Sequence, residues 1–334
     1  MKKKEHDLVK NSLKIIEVPH SEALIKDEFW SPKLEMFRNV TLIDVFSKFE
    51  KSGAFSNFDR VANGEKGGHS GLPWYDGLVY ETICSAADML ATRYDESLDK
   101  RLNNYIQRIS AAQAVGPDGY INTWVSLEDP EKRWGDNGGN LLWQHDLYNA
   151  GALVEAGIHH YKATKKLNLL RVAVKFAEYL TSYIGTFPKR NIVPAHPLPE
   201  VAFVELFRLF REFPGLRKEF SPPVNEIRYL ELATFWIENR GNHEERPNWG
   251  EYAQDHKPLI EQEEAVGHAV RAVLLYTGLV AVAKEINRED YLKTAQKLWE
   301  NVVGKKMYIT GGVGSFRQEE KFGANYQLPN NGYL

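Results

Sequence analysis

Residues 133 to 157 read RWGDNGGNLLWQHDLYNAGALVEAG, a polar, glycine-rich loop that runs directly into an aromatic-rich helix. Asp136, Asn137, Gly138, Gly139 and Asn140 are the residue types that make turns and cap helix N-termini. After them Leu141, Leu142, His145, Tyr148, Ala152 and Ala156 recur at spacings of three and four, which predicts a helix to about Tyr161. That spacing places His145 on or beside the buried stripe, one turn inside the helix. An imidazole in such a position needs hydrogen-bond partners or a task.

Working outward, the same plan recurs on both sides. Leu34, Phe37, Leu42, Val45, Phe46 and Phe49 mark one helix between Pro32 and about Lys51, followed by the glycine-rich NGEKGGHSGLP. Further helices are expected at 74–93, 98–109, 169–183, 200–211, 229–240, 263–286 and 291–303. They form pairs, and the second member of each pair looks alike: LLRVAVKFAEYL, YLELATFWIENR, YLKTAQKLWENV and, more distantly, LDKRLNNYIQRI. Short and long connections alternate, so all the long, polar, aromatic loops gather at one end of a ring of antiparallel helices. The fold class is therefore all-α, an (α/α)6 toroid. Six hairpins close such a ring, and four with half of another are visible, so the toroid is expected to be incomplete in this chain. Residues 1–31 read as an irregular or strand-like segment ahead of a toroid over 32–334, with one more short strand expected near 307–313 in KMYITGGVGSF.

Composition narrows the function. The 334 residues carry a formal net charge of -3, which leaves no electrostatic footprint for nucleic acid, and no stretch approaches the length of a membrane span. A single cysteine, Cys84, excludes an internal disulfide and, within an alanine-rich helix, reads as a small buried hydrophobe. No signal peptide is visible, so the expected location is the cytoplasm, or the periplasm had a signal been removed.

Three histidines occupy equivalent places at the loop end: His145, His196 in VPAHPLPE, and His268 in EEAVGHAVRA. Helix N-termini disfavour an imidazolium, so these rings are expected to be neutral hydrogen-bonding groups suited to sugar hydroxyls. A three-histidine metal site is the weaker reading, because no two of them have a local ligand spacing. Hydrolysis of a glycoside usually needs two carboxylates, and Asp76, Asp136, Asp146, Glu200, Glu319 and Glu320 lie near the loop end. Of these, Asp136 reads first as a cap or loop organiser, Glu200 as a complement to a helix dipole, and Glu319 with Glu320 as a solvated turn. Trp74 and Tyr75, with Trp124, Trp134 and Trp143, offer a stacking wall or simple packing. GGVGS lacks the following Lys-Ser or Lys-Thr pair and helix of a phosphate loop.

The segments WYDGLVYETICSAADML, WQHDLYNAGALVEAGIHHYKATKKLNLLRVAVKFAEYL, VPAHPLPEVAFVELFRLF, GHAVRAVLLYTGLVAVA and YITGGVGSFRQEEKFGANYQLPN resemble glycoside hydrolase family 127, the β-L-arabinofuranosidase-like enzymes. The likeness runs from about Phe29 onward and implies the N-terminal part of an (α/α)6 catalytic domain. It implies a retaining hydrolase acting on terminal sugars of plant, pectin-type glycans, with a carbohydrate as substrate, neither nucleic acid nor membrane as partner, and the oligomeric state open. His145, His196 and His268 match sugar-binding histidines, and Trp74, Asp76 and Asp136 complete the expected contacts. Glu320 matches the acid/base, with Glu319 beside it as the fallback. The complete family enzyme carries zinc and a zinc-bound cysteine nucleophile, whose ligands follow the segment resembling NNGYL and are not in this chain; Cys84 matches none of them. On that reading a polypeptide of these residues alone is inactive. Val45 stands where many arabinofuranosidases have a glutamine, which leaves the sugar open. The competing expectations are a metal-free sugar isomerase or epimerase on the same toroid and a non-catalytic carbohydrate-binding protein.

Overall fold

The computed structural model describes residues 18–19 and 22–332. Helices dominate it: α1 (Trp30–Met36), α2 (Leu42–Ser52), α3 (Ala54–Ala62), α4 (Tyr75–Thr92), α5 (Glu96–Ala114), α6 (Thr123–Glu128), α7 (Leu141–Gln144), α8 (Asp146–Thr164), α9 (Asn168–Tyr183), α10 (Pro199–Glu212), α11 (Ile227–Glu238), α12 (Ala269–Ile286) and α13 (Glu289–Asn301). A π turn at Phe37–Thr41 joins α1 to α2, so the single helix expected there is one continuous rod with a bulge. No described helix is long and apolar enough to cross a membrane.

Five consecutive hairpins are seen among the described residues: α2/α3, α4/α5, α8/α9, α10/α11 and α12/α13. Helices α4, α8, α10 and α12 pack side by side as an inner layer, and α5, α9, α11 and α13 back them. The two layers have different sequences for a physical reason. Outer helices bury one stripe, as α9 does with Leu169, Leu170, Ala173, Phe176, Ala177 and Leu180. Inner helices are covered on two sides and are apolar almost all round, so α8 buries Leu147, Ala150, Leu153, Val154 and Ile158 together. Small residues let them approach: the Gly77 N–H donates to Asn149 Oδ1 at 3.0 Å, binding the first turn of α4 to that of α8.

The structure corrects the sequence reading in four places. Helix α3 was not expected; Gly53, at φ 85°, ends α2 and turns the chain so that Phe55 and Phe58 enter the core. Residues 307–313 form no strand, because the segment turns back on itself and the Tyr308 N–H donates to the Gly312 carbonyl at 2.8 Å. The Gly311 N–H donates to the Tyr308 carbonyl in a tight turn that leaves Ile309 fully exposed. The strand-like N-terminal reading falls largely on residues outside the described ones, and Glu22 to Phe29 contain no strand. Helix α12 starts at Ala269 rather than 263.

Long connections do gather at one end. His145, His196 and His268 come from three successive ones, preceding α8, α10 and α12.

Candidate active site

The first histidine is not one turn inside a helix. His145 adopts φ 57°, ψ 27° and breaks the expected helix into α7 and α8. Asn140 caps α7 by accepting the Trp143 N–H, and the Gln144 side chain holds the loop through the Asn140 N–H at 2.7 Å and the Lys132 carbonyl at 2.8 Å. The break lets the His145 ring fold back to the Trp143 carbonyl at 2.6 Å. His196 lies in an extended loop and bonds the Pro197 carbonyl at 2.9 Å. His268 is the N-cap of α12, its Nδ1 accepting the Arg271 N–H at 3.3 Å.

These rings form one wall. Ring centroids are 5.7 Å apart for His145 and His196 and again 5.7 Å for His196 and His268. Tyr148 meets His196 at 4.6 Å, Trp74 meets His145 at 4.9 Å, and Tyr252 meets His268 at 5.8 Å. Trp143 stands edge-on to Trp74 at 5.0 Å. Together with Arg271, Arg317, Glu319 and Glu320 they line an open cleft of about 560 Å³, room for a sugar ring and its water.

Hydrogen bonding fixes the tautomers. Carbonyl partners make Nδ1 of His145 and His196 the protonated nitrogen, which leaves Nε2 of each as an acceptor. At His268 the cap bond makes Nδ1 the acceptor, so Nε2–H donates to Glu320 Oε2 at 2.7 Å. Burial lowers the pKa of all three rings, that of His145 to about 4, and the Arg271 guanidinium pushes each the same way. Neutral imidazoles therefore face the cleft at ordinary pH, with acceptors and a donor held in fixed directions.

The carboxylates divide sharply. Glu320 touches His268, and Glu319, ion-paired with Lys321 at 2.7 Å, sits beside it; both take positive φ, 47° at Glu320 and 61° at Glu319, in the turn that presents them. The other four serve the scaffold. Asp76 is fully buried and accepts the Thr123 N–H and hydroxyl at 2.7 and 2.6 Å, and burial raises its pKa to about 6. Asp146 accepts the Tyr120 hydroxyl inside the core. Glu200 is buried against Arg240 at 3.0 Å. Asp136 lies outside the histidine cleft in a two-pronged ion pair with Arg190, 2.7 Å on each prong. The pair is partly exposed, so Asp136→Ala should cost less than about 1 kcal/mol in urea unfolding and should leave sugar affinity unchanged; a large loss of affinity would place Asp136 in the site after all.

Tyr148, Tyr252, Arg271 and Arg317 were not singled out from sequence. Two carried a signal: Tyr148 follows His145 by three residues, and Arg271 follows His268 by three, a charge on the stripe that α12 buries. Arg271 Nη1 reaches the Ala195 carbonyl at 2.7 Å and so holds the residue before His196. Of the expected stacking residues, Trp74 and Trp143 line the cleft, whereas Trp134 is buried among Tyr120, Tyr179 and Tyr183.

Residues 24–333 match the family model described as the β-L-arabinofuranosidase, GH127 catalytic domain. The chain belongs to glycoside hydrolase family 127. Among known members it is 29% identical over 306 residues to a non-reducing end β-L-arabinofuranosidase of Bifidobacterium longum, covering 84% of this chain and 43% of that protein. Solved family 127 structures agree in fold. A β-arabinofuranosidase superposes with a TM-score of 0.83 at 35% identity, over 94% of this chain and 47% of its own. The β-L-arabinofuranosidase of Geobacillus stearothermophilus T6 gives 0.82 at 31% identity, over 92% and 49%. The chain thus spans less than half the length of these relatives.

The zinc implied by the family resemblance finds no fitting donor set at the cleft. His145 and His196 each leave Nε2 as an acceptor, as a ligating histidine does, but His268 has both nitrogens engaged and the chain's one thiol, Cys84, lies on α4 away from the lining residues, so no thiolate is there to hold the ion.

Proposed function

We propose that the cleft binds the terminal, non-reducing L-arabinofuranosyl-type sugar of a plant, pectin-type glycan, and that Glu320 is the acid/base of a retaining hydrolysis. The observation that carries this reading is the His268–Glu320 contact at the end of a wall of neutral rings. Nε2 of His145 and of His196 would accept sugar O–H groups, while Trp74 and Trp143 would cover an apolar ring face. His268 Nε2–H orients the Glu320 carboxylate, and the acid/base role asks that carboxylate to take a proton from water in the second half of a retaining reaction. Glu319 and Glu320 come from one turn, so neither can attack from the face opposite the other. The nucleophile therefore belongs to residues other than these, and no step through zinc is assigned. A polypeptide of these 334 residues should bind sugar without turnover, since loss of a nucleophile can cost on the order of 10⁶-fold. Robust hydrolysis by it would overturn the assignment of the nucleophile.

Calorimetric titration with methyl β-L-arabinofuranoside tests the binding. His196→Ala should weaken it about tenfold, the value of one well-placed hydrogen bond. The pH dependence has a definite sign. Because burial lowers the His145 pKa to about 4, its acceptor persists from neutrality downward and is lost only as the pH approaches that value. Affinity should stay level from pH 8 to about 5.5 and then fall. Binding that fails altogether, or survives His145→Ala and His196→Ala unchanged, would refute the cleft assignment. Interconversion of a free reducing sugar would support the isomerase instead.

A further inference from the structure

The inner faces of α4 and α8 carry a second set of reactive side chains, remote from the cleft. These helices run parallel and nearly in register: the partner offset is 72 residues at Gly77–Asn149 and 71 at Asp88–His159. The register brings Cys84 and Asp88, one turn apart on α4, against His159 on α8. Their sulfur, carboxylate oxygen and ring nitrogen lie within 4.8 Å of one another. His145 immediately precedes α8 and His159 lies about 20 Å further along its axis, so this cluster sits at the far end of the inner layer from the sugar cleft.

We propose that Cys84, Asp88 and His159 form a binding site for a thiophilic divalent cation of the Zn²⁺ type. The donor set decides the class of ion. Thiolate, imidazole and one carboxylate suit a borderline-soft tetrahedral metal and not Mg²⁺ or Ca²⁺, which require oxygen ligands. Water takes the fourth position. Access is open, for all three residues are only half-buried. The local charge favours a cation as well. Burial, with Asp88, Glu155 and Glu81 around it, pushes the Cys84 thiol pKa up, so the sulfur stays protonated until a cation arrives to offset those carboxylates, and Glu155 is itself largely desolvated. Among these facing groups the cationic side is His159, with Lys162 one turn beyond.

Asp88 and His159 already share a hydrogen bond of 2.6 Å. An ion held at about 2.0 Å from each atom would open that separation to roughly 3.3 Å, within reach of side-chain rotation. On binding, Cys84 releases its thiol proton to solvent as the sulfur takes the metal; the proton that His159 Nδ1 gives to Asp88 leaves that nitrogen, and the neutral ring that ligates through Nδ1 keeps its proton on Nε2. The distance from the cleft makes the ion a clamp between α4 and α8 and not a catalytic metal.

Cobalt titration of the 334-residue protein tests the site directly. Because Cys84 is the sole cysteine, a thiolate-to-cobalt charge-transfer band can arise only there; cobalt on the cleft histidines gives none. The expected result is one Co²⁺ per chain with that band, displaced by Zn²⁺, which also raises the melting temperature. Cys84→Ser should abolish the band, and Asp88→Asn and His159→Ala should each weaken binding tenfold or more, while His268→Ala leaves the band intact. Asp88→Asn preserves shape, so it decides the matter should Cys84→Ser fold poorly. No thiolate band at excess cobalt, or a band of unchanged affinity in both Asp88→Asn and His159→Ala, would overturn the proposal.

Discussion

Glu200→Ala is expected to lower the unfolding free energy by about 3–5 kcal/mol, the cost of leaving a buried charge without its partner. The charge in question is Arg240. Its side chain and that of Glu200 are both fully buried, 3.0 Å apart. Arg240 also donates to the Pro194 carbonyl at 2.8 Å and the Ala253 carbonyl at 3.4 Å. Those carbonyls belong to two of the long loops, one carrying His196 and the other leading to His268. Glu200, besides holding Arg240, accepts the Leu198 N–H at 3.1 Å at the start of α10. One carboxylate thus neutralises a guanidinium, caps a helix and ties two loops of the site. Removing it leaves the Arg240 charge without its hydrogen-bonded carboxylate and the Leu198 N–H without its acceptor in a place water does not reach. Urea unfolding followed by tryptophan fluorescence should show the loss, and a decrease below 1 kcal/mol would sink the idea. The double change Glu200→Leu with Arg240→Met should recover much of the stability, since it removes the desolvation cost along with the attraction. It should still weaken sugar binding, because the loop around His196 then lacks its anchor.

The contrast between Glu200 and Glu320 shows which parts of this site were legible in the sequence. Periodicity showed the hairpins, since a helix buried on one face must repeat apolar residues at three and four, and alternating loop lengths sorted their ends. That was enough to bring His145, His196 and His268 to one place. It was not enough to sort six candidate carboxylates. Asp76, Asp136, Asp146 and Glu200 are spoken for by Thr123, Arg190, Tyr120 and Arg240, partners 26 to 54 residues away in sequence that no local pattern announces. Likewise the spacing of Leu141, Leu142 and His145 fits an unbroken helix as well as the broken one; the break is decided by the Trp143 carbonyl and the Asp146–Tyr120 bond, which periodicity does not encode. Helix α3 was hidden because the apolar pattern stops at Gly53 and the glycine-rich 63–73 loop follows so soon that residues 54–62 drew no assignment. Phe55 and Phe58, three apart, were the available sign.

Gly267→Ala should be the most damaging single-methyl substitution near the site, costing about 3 kcal/mol or more through a left-handed backbone combined with a backbone clash. Gly267 has φ +70°, and a Cβ there would fall far inside contact distance of the Glu251 carbonyl oxygen, with the Glu251 carbonyl carbon and Tyr252 Cα close behind. These are main-chain atoms, so no side-chain rotation relieves the overlap. The neighbours explain why function should fall with stability. The His268 N–H donates to the Tyr252 carbonyl at 3.1 Å, and the Gly267 carbonyl accepts the Phe322 N–H at 2.9 Å. The first bond seats the N-cap of α12; the second fixes the turn that carries Glu320. Pushing Gly267 away from Glu251 loosens both at once and pulls His268 from Glu320, whose 2.7 Å contact defines the candidate acid/base. Gly304→Ala, where a Cβ meets nothing within 4 Å, is the matched control and should change little. The discriminating measurement pairs urea unfolding with calorimetric sugar binding on both variants. If Gly267→Ala binds the arabinofuranoside as tightly as the parent protein, the Gly267 hinge is not what holds His268 and Glu320 together. If it loses binding while Gly304→Ala keeps it, the close approach of two main chains at residues 251 and 267 is what brings the acid/base turn onto the histidine wall.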